Sequence, residues 1–275
     1  MDISQHTINE FQQVIWDYYH EHYRNMPWRE NPSPYWVMVS EIMLQQTQVD
    51  RVRPKFLAFI EQFSTSSALA AAPLSEVIAA WSGLGYNRRA KFLWQAAQMI
   101  DTQYSGHFPS TLDELQKLPG IGPNTAAAIL AYAFNEPVVF IETNIRTVLF
   151  HHFFADHPDS VTDAQLREIA TQVLEPEHPR EWYWALMDYG TYLKRSVGGR
   201  LTQSKHYKKQ SPFTGSVREM RGRILRALVS APLSAAELQR EVLADERYAP
   251  ALEALLGENM VCETAAGYLS LTDRA

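Results

Sequence analysis

The chain has 275 residues, 46% of them hydrophobic and 20% charged, with a formal net charge of −6. That is the mix of a globular protein with one large domain or two and a sizeable core. No apolar run approaches the ~20 residues that span a bilayer, the opening segment MDISQHTINEF lacks a basic stretch followed by an apolar one, and the single cysteine, Cys262, excludes intramolecular disulfides, a four-cysteine iron–sulfur site and thiolate-rich zinc.

The pattern is helical nearly throughout. Residues 7–23 read as an aromatic-rich amphipathic helix, NPSP (31–34) breaks the chain, and Tyr35 to about Val52 reads as one helix. LSEVIAAWSGL (74–84) and RRAKFLWQAAQMI (88–100) carry apolar residues at helical spacing, and STLDEL (110–115) is a capped helix start. In LPGIGPNTAAAI (118–129), Gly120 and Gly122 describe a tight turn that leads into an alanine-rich helix over 124–134. Such a turn leaves backbone N–H groups uncovered near a helix N-terminus, where a phosphate can be held without side-chain charge.

The next segment, VVFIETNIRTVLF (138–150), sets the polar triplet Glu142-Thr143-Asn144 between two apolar runs. One reading is a helix start, with Thr143 or Asn144 as the cap and the acid favoured by the helix dipole. The other is a carboxylate placed for chemistry. TDAQLREIATQVL (162–174) and PREWYWALMDYGTYL (179–193) continue as helices, with no strand alternation before residue 258 and no internal repeat.

Residues 196–216 lose the apolar periodicity and read as a basic loop or linker. Between Tyr189 and Arg226 ten lysines and arginines face one acid, Glu219. Local charge of that kind attracts a phosphate backbone, or simply solvates a linker. From residue 216 the order is helix, a short helix capped by Ser234, helix, and two short strands around Ala265-Ala266-Gly267. That is the winged-helix plan, with 248–257 in the place of the recognition helix and either DNA or a protein as its partner.

Taken together, PWR (27–29), PYWVMVSEIMLQQTQV (34–49), WSGLGYNRRA (81–90), HFPSTLDELQKLPG (107–120) and the turn after it resemble the helix-hairpin-helix DNA glycosylases, and within them the MutY-type adenine glycosylases. The resemblance runs almost without gaps from Met26 to Phe150 and continues more weakly through WALMDYG (184–190). It implies an all-α, two-subdomain glycosylase fold over 1–215 with DNA in a cleft. One subdomain would be 27–135 with the hairpin at 118–122, the other 1–24 plus 137–195, followed by a basic linker over 196–215 and the winged-helix domain over 216–275.

Enzymes of this kind flip a nucleotide out of the duplex and break its N-glycosidic bond. The resemblance assigns Glu41 as the acid that protonates the leaving base. It assigns Glu142 to the position of the family's aspartate, the carboxylate that stabilises the cationic sugar, with Asn144 in its expected place two residues on. The longer side chain means a backbone set back to fit it, a differently shaped base, or a weakened site that only binds DNA. Asn124 stands where bifunctional relatives carry a Schiff-base lysine, so a monofunctional enzyme is expected. Gln46 and Tyr86 match positions that wedge into the base stack, or they simply pack. Gly120, Gly122, Asn124, Lys205, Lys208 and Lys209 complete the expected DNA contacts.

Two departures bear on cofactor and substrate. The family's four-cysteine iron–sulfur loop and its Nudix-like C-terminal domain, which reads an oxidised guanine, are both replaced here. The expectation is no cluster, with room for a monovalent cation at the carbonyls of 118–122. The expected partner is double-stranded DNA, bound by a monomer in the cytoplasm at the nucleoid. Adenine is the first candidate base, and uracil or thymine opposite guanine the second. The rival from another class is a catalytically weak lesion-binding protein.

Overall fold

The structure is a computed structural model, and it describes residues 2–155, 161–196 and 213–273. The helices are, in order, α1 (Gln5–His22), α2 (Pro27–Glu30), α3 (Pro34–Leu44), α4 (Val49–Gln62), α5 (Ser66–Ala71), α6 (Leu74–Trp81), α7 (Arg88–Gln103) and α8 (Leu112–Leu115). They continue as α9 (Pro123–Phe134), α10 (Thr143–Phe153), α11 (Asp163–Gln172), α12 (Pro179–Ser196), α13 (Val217–Ser230), α14 (Ala235–Glu241) and α15 (Tyr248–Gly257), and the chain then forms β1 (Val261–Glu263) and β2 (Leu269–Leu271). Two compact units result: Met1–Glu41 with Ser110–Gln116 and Ile121–Lys209, and Ile42–Pro109 with Lys117–Gly120 and Gln210–Ala275.

Helix α12 organises the first unit. Its buried residues Trp182, Leu186, Tyr189 and Leu193 recur at helical spacing, so one face can be covered by α1, α9 and α10. Phe11 of α1 meets Trp182 edge-on at 5.9 Å. Against α10 the approach is closer. A Cβ on Gly190 would lie 2.5 Å from the backbone oxygen of Asn144, so only glycine lets the two helices meet there.

A buried ion pair ties the N-terminal part of this unit to α12. Arg29 donates from both terminal nitrogens to Asp188, at 2.8 and 2.9 Å, and Asp188 has no exposed side-chain surface. Arg24 adds its backbone N–H to the same carboxylate at 3.2 Å. The fork geometry satisfies both charges, which is the condition for burying an ion pair without a large penalty.

In the second unit α5 and α6 pack on α7, and α13 packs on α6 and α15. Residues 216–275 therefore share a compact unit with 42–109 rather than standing apart. Their helix and strand order follows the sequence-based reading. Ser234 and Glu237 form a reciprocal capping box, and Val261, Cys262 and Glu263 pair antiparallel with Leu271, Ser270 and Leu269.

The single helix expected from Tyr35 to Val52 is broken. α3 ends at Leu44, Gln46 adopts a positive φ of 55°, and α4 starts at Val49. The cause is Arg89, a buried residue of α7. It donates to the carbonyls of Ile42 and Met43, both at 2.9 Å, and to the hydroxyl of Thr47 at 3.0 Å. Those are carbonyls a helix terminus leaves unpaired, so the guanidinium ends α3 where local propensity would continue it.

Candidate active site

The triplet at 142–144 starts a helix, but neither Thr143 nor Asn144 is its cap. Glu142 occupies that position in extended backbone, and its side chain makes no capping bond. Phe140 and Ile141 before it, and Ile145, Val148 and Leu149 after it, are buried. The apolar runs thus anchor the backbone on both sides and leave the carboxyl of Glu142 unused by the helix it begins.

Glu41 lies on α3 in the same unit, flanked by the buried Val37, Met38 and Ile42. Both glutamates are half-buried. Burial lifts the Glu41 carboxyl well above the usual range, and the negative charge of Glu142 lifts it further. Burial also raises Glu142, against which the ammonium of Lys194 acts in the opposite direction. Tyr132 of α9 borders both acids. Its hydroxyl is held protonated, first by burial and then by the two carboxylates, and its ring stacks on Trp184 at 6.3 Å.

Asn144 is held on two sides. The ammonium of Lys194 donates to its side-chain oxygen, and its own amide reaches Thr191 Oγ1 at 3.5 Å. Thr191 in turn accepts from Arg24 at 3.2 Å, so the network runs back to Asp188. Burial draws the Lys194 amine down to about 8, with Glu142 opposing the shift. Asn124, exposed in the first turn of α9, donates to the carbonyl of Ile141 at 3.3 Å. Its amide therefore ties the residue before Glu142 to α9.

The two expected wedge residues fall in the second unit. Gln46 and Tyr86 both have positive φ, 55° and 47°, and both line a cavity of about 400 Å³ together with Arg51, Phe213, Arg218 and Arg226. Arg218 lies 5.0 Å over the Tyr86 ring and donates to its hydroxyl. In the hairpin the two glycines differ. Gly120 has a φ of 78°, and a Cβ there would meet Phe92 at 2.9 Å, so glycine is required twice over. Gly122 caps α9 in extended backbone with open space around it. Lys205, Lys208 and Lys209 lie outside the described residues.

The helix expected over 179–193 runs on to Ser196, so Lys194 lies in the last turn of α12. The pairing of Arg29 with Asp188, the place of Tyr132 beside the two acids and the contact of Arg218 with Tyr86 are not visible in the sequence. The one cysteine, Cys262, lies in β1 with its sulfur 3.3 Å from Ser270 Oγ.

The profile of the family described as "HhH-GPD superfamily base excision DNA repair protein" matches residues 39–176. The chain is 35% identical over 270 residues to an adenine DNA glycosylase of Mycolicibacterium smegmatis, covering 90% of this chain and 91% of that protein. It is 35% identical over 188 residues to an adenine DNA glycosylase of Buchnera aphidicola subsp. Baizongia pistaciae, covering 68% of this chain and 54% of that one, so it spans about half the length of this second relative. In fold it is similar to a thermostable thymine-DNA glycosylase, with a TM-score of 0.66 at 22% identity over 73% of this chain and 94% of the other. A non-covalent endonuclease III–DNA complex gives 0.56 at 19% identity over 77% and 91%. The chain belongs to the HhH-GPD superfamily of base excision DNA repair proteins, as a DNA glycosylase of that family.

Proposed function

We propose that the protein binds double-stranded DNA as a monomer, flips out a damaged or mispaired base with adenine as the first candidate, and hydrolyses its N-glycosidic bond. The observation that carries this reading is the meeting of Glu41 and Glu142, distant in sequence, within electrostatic reach of each other in the first unit. A carboxyl kept protonated by an apolar setting is suited to give its proton to a departing base. A second carboxyl in its charged form stabilises the cation left on the sugar.

In the proposed reaction the bond between C1′ and the base nitrogen breaks with its electron pair going to the base. Glu41 supplies the proton that neutralises it. Glu142 lies against the oxocarbenium-like sugar until water adds at C1′ and passes its proton to Glu41, which the first step left as a carboxylate. Asn124 offers no amine, so the reaction stops at the abasic site. Gln46 and Tyr86 fill the space the base vacates. Adenine ranks first because relatives at 35% identity are adenine DNA glycosylases.

The test is single-turnover release of free base from a panel of duplexes carrying adenine, uracil or thymine opposite different partners. Glu142→Gln keeps size but loses charge, and release should fall at least ~100-fold while the variant still binds the duplex. Glu142→Asp should also be slower than wild type, because the carboxylate withdraws by roughly one C–C bond. An unchanged rate in Glu142→Gln would reduce that residue to a helix start. Binding across the panel without release of any base would establish the lesion-binding alternative.

A further inference from the structure

The proposed reaction needs two neighbouring carboxyls in opposite states, yet burial pushes both the same way, towards holding a proton. Two such groups titrate as a pair, and the pair alone does not decide which member keeps the proton. The elements packed around them do.

Glu41 is bordered by apolar side chains of its own helix and by the Tyr132 hydroxyl from α9. Glu142 is faced from α12 by an amine. Lys194 donates to Asn144, in the first turn of the helix that Glu142 begins. One turn earlier on α12, Gly190 lets that helix lie directly against Asn144, so the close approach there carries Lys194 to the start of α10. The other cations nearby are engaged elsewhere: Arg146 of α10 with Asp163 at 2.8 Å, and Arg24 and Arg29 with Asp188. Lys194 stands outside both of those ion pairs and acts on Glu142.

We propose that Lys194 is a positioning cation that sorts the proton between the two carboxyls, leaving Glu142 charged and Glu41 protonated while it holds Asn144 against the helix start. This rests on the glycosylase reading for its purpose, but not for its test. An opposite charge at close range favours the ionised carboxylate by roughly 1–3 pH units. Removing it should therefore move Glu142 up and narrow the gap to Glu41.

The experiment is a carbon NMR titration of the full chain carrying ¹³C at the glutamate carboxyls, with Glu41→Gln and Glu142→Gln identifying the two signals. In wild type Glu142 should titrate below Glu41. In Lys194→Met the Glu142 midpoint should rise by at least about one unit, and Lys194→Arg should restore it. Lys194→Gln, with circular dichroism as the check on folding, replaces the methionine variant if that one does not fold. In single-turnover base release the acid limb of the rate profile should move to higher pH in Lys194→Met and return in Lys194→Arg. A Glu142 midpoint unmoved in Lys194→Met would overturn the proposal. So would an arginine variant that behaves like methionine, since that would make the role one of packing. If no duplex yields free base, the glycosylase reading fails, and the carboxyl titration still decides whether Lys194 sets the charge of Glu142.

Discussion

Glutamate is used in opposite ways in the two units. In the first, Glu41 and Glu142 are pushed above the usual carboxylate range by burial. In the second, Glu219 is pulled down to about 2, first by the Gly215 N–H and then by Arg223 and Arg247. Those three donors stand 2.7, 2.7 and 3.0 Å from its oxygens. Glu219 meets three donors, whereas Glu41 and Glu142 are governed by burial. An unsatisfied charge costs stability and is kept where it does chemistry, whereas a satisfied one holds a fold together. The first unit can carry the conflict because one fully paired charge, Asp188, fastens Arg29 beside it.

The sharpest way to break that contrast is to remove the fastening. Asp188→Asn leaves Arg29 buried without its counter-charge. The loss should be about 3–5 kcal/mol, read as a fall in the urea midpoint of the intact protein, with base release lost alongside. An unshifted midpoint would mean the pair contributes nothing net.

Glu41→Gln should act in the other direction. Because the folded state raises this carboxyl's pKa, its stabilising contribution is present when protonated. It is lost as pH rises through the folded value. At neutral to mildly alkaline pH the neutral variant should therefore be more stable than wild type, by about 0.5–2 kcal/mol, while base release collapses. A less stable variant would show that the carboxyl belongs to the packing rather than to a conflict.

The smallest effect concerns Glu219. Its folded pKa is depressed, so its contribution is present above about 4.5, the ordinary glutamate value, and is lost as pH falls towards about 2. Glu219→Gln should flatten the acid side of the stability profile in that window and leave stability above pH 6 little more dependent on pH than before. An acid limb identical to wild type would remove Glu219 from the account.

Much of this was legible in the sequence because it is local. Helical periodicity located α1, α7, α9 and α12, the glycines of 118–122 marked the hairpin, and Glu142 stood out as a carboxylate amid apolar residues. What stayed hidden depends on partners far along the chain. The break at 45–48 is imposed by Arg89, more than forty residues downstream. Lys194 reads as a residue just past the helix over 179–193 until α12 carries it into the last helical turn beside Asn144. The second unit takes in 216–275 because α13 packs on α6, which no spacing within either helix reveals.

The pairing of Arg29 with Asp188, 159 residues apart, also sets a timetable for biogenesis. At translation rates of ~5–20 residues per second, roughly 8 to 30 seconds separate the emergence of the two partners. Through that interval α1 is complete but the surface it covers on α12 has not been made, so Phe11 waits for Trp182. The nascent chain therefore presents an aromatic helix to the cell before its own fold can shelter it. The first unit must fold late, around a closing segment, rather than from its N-terminus onward.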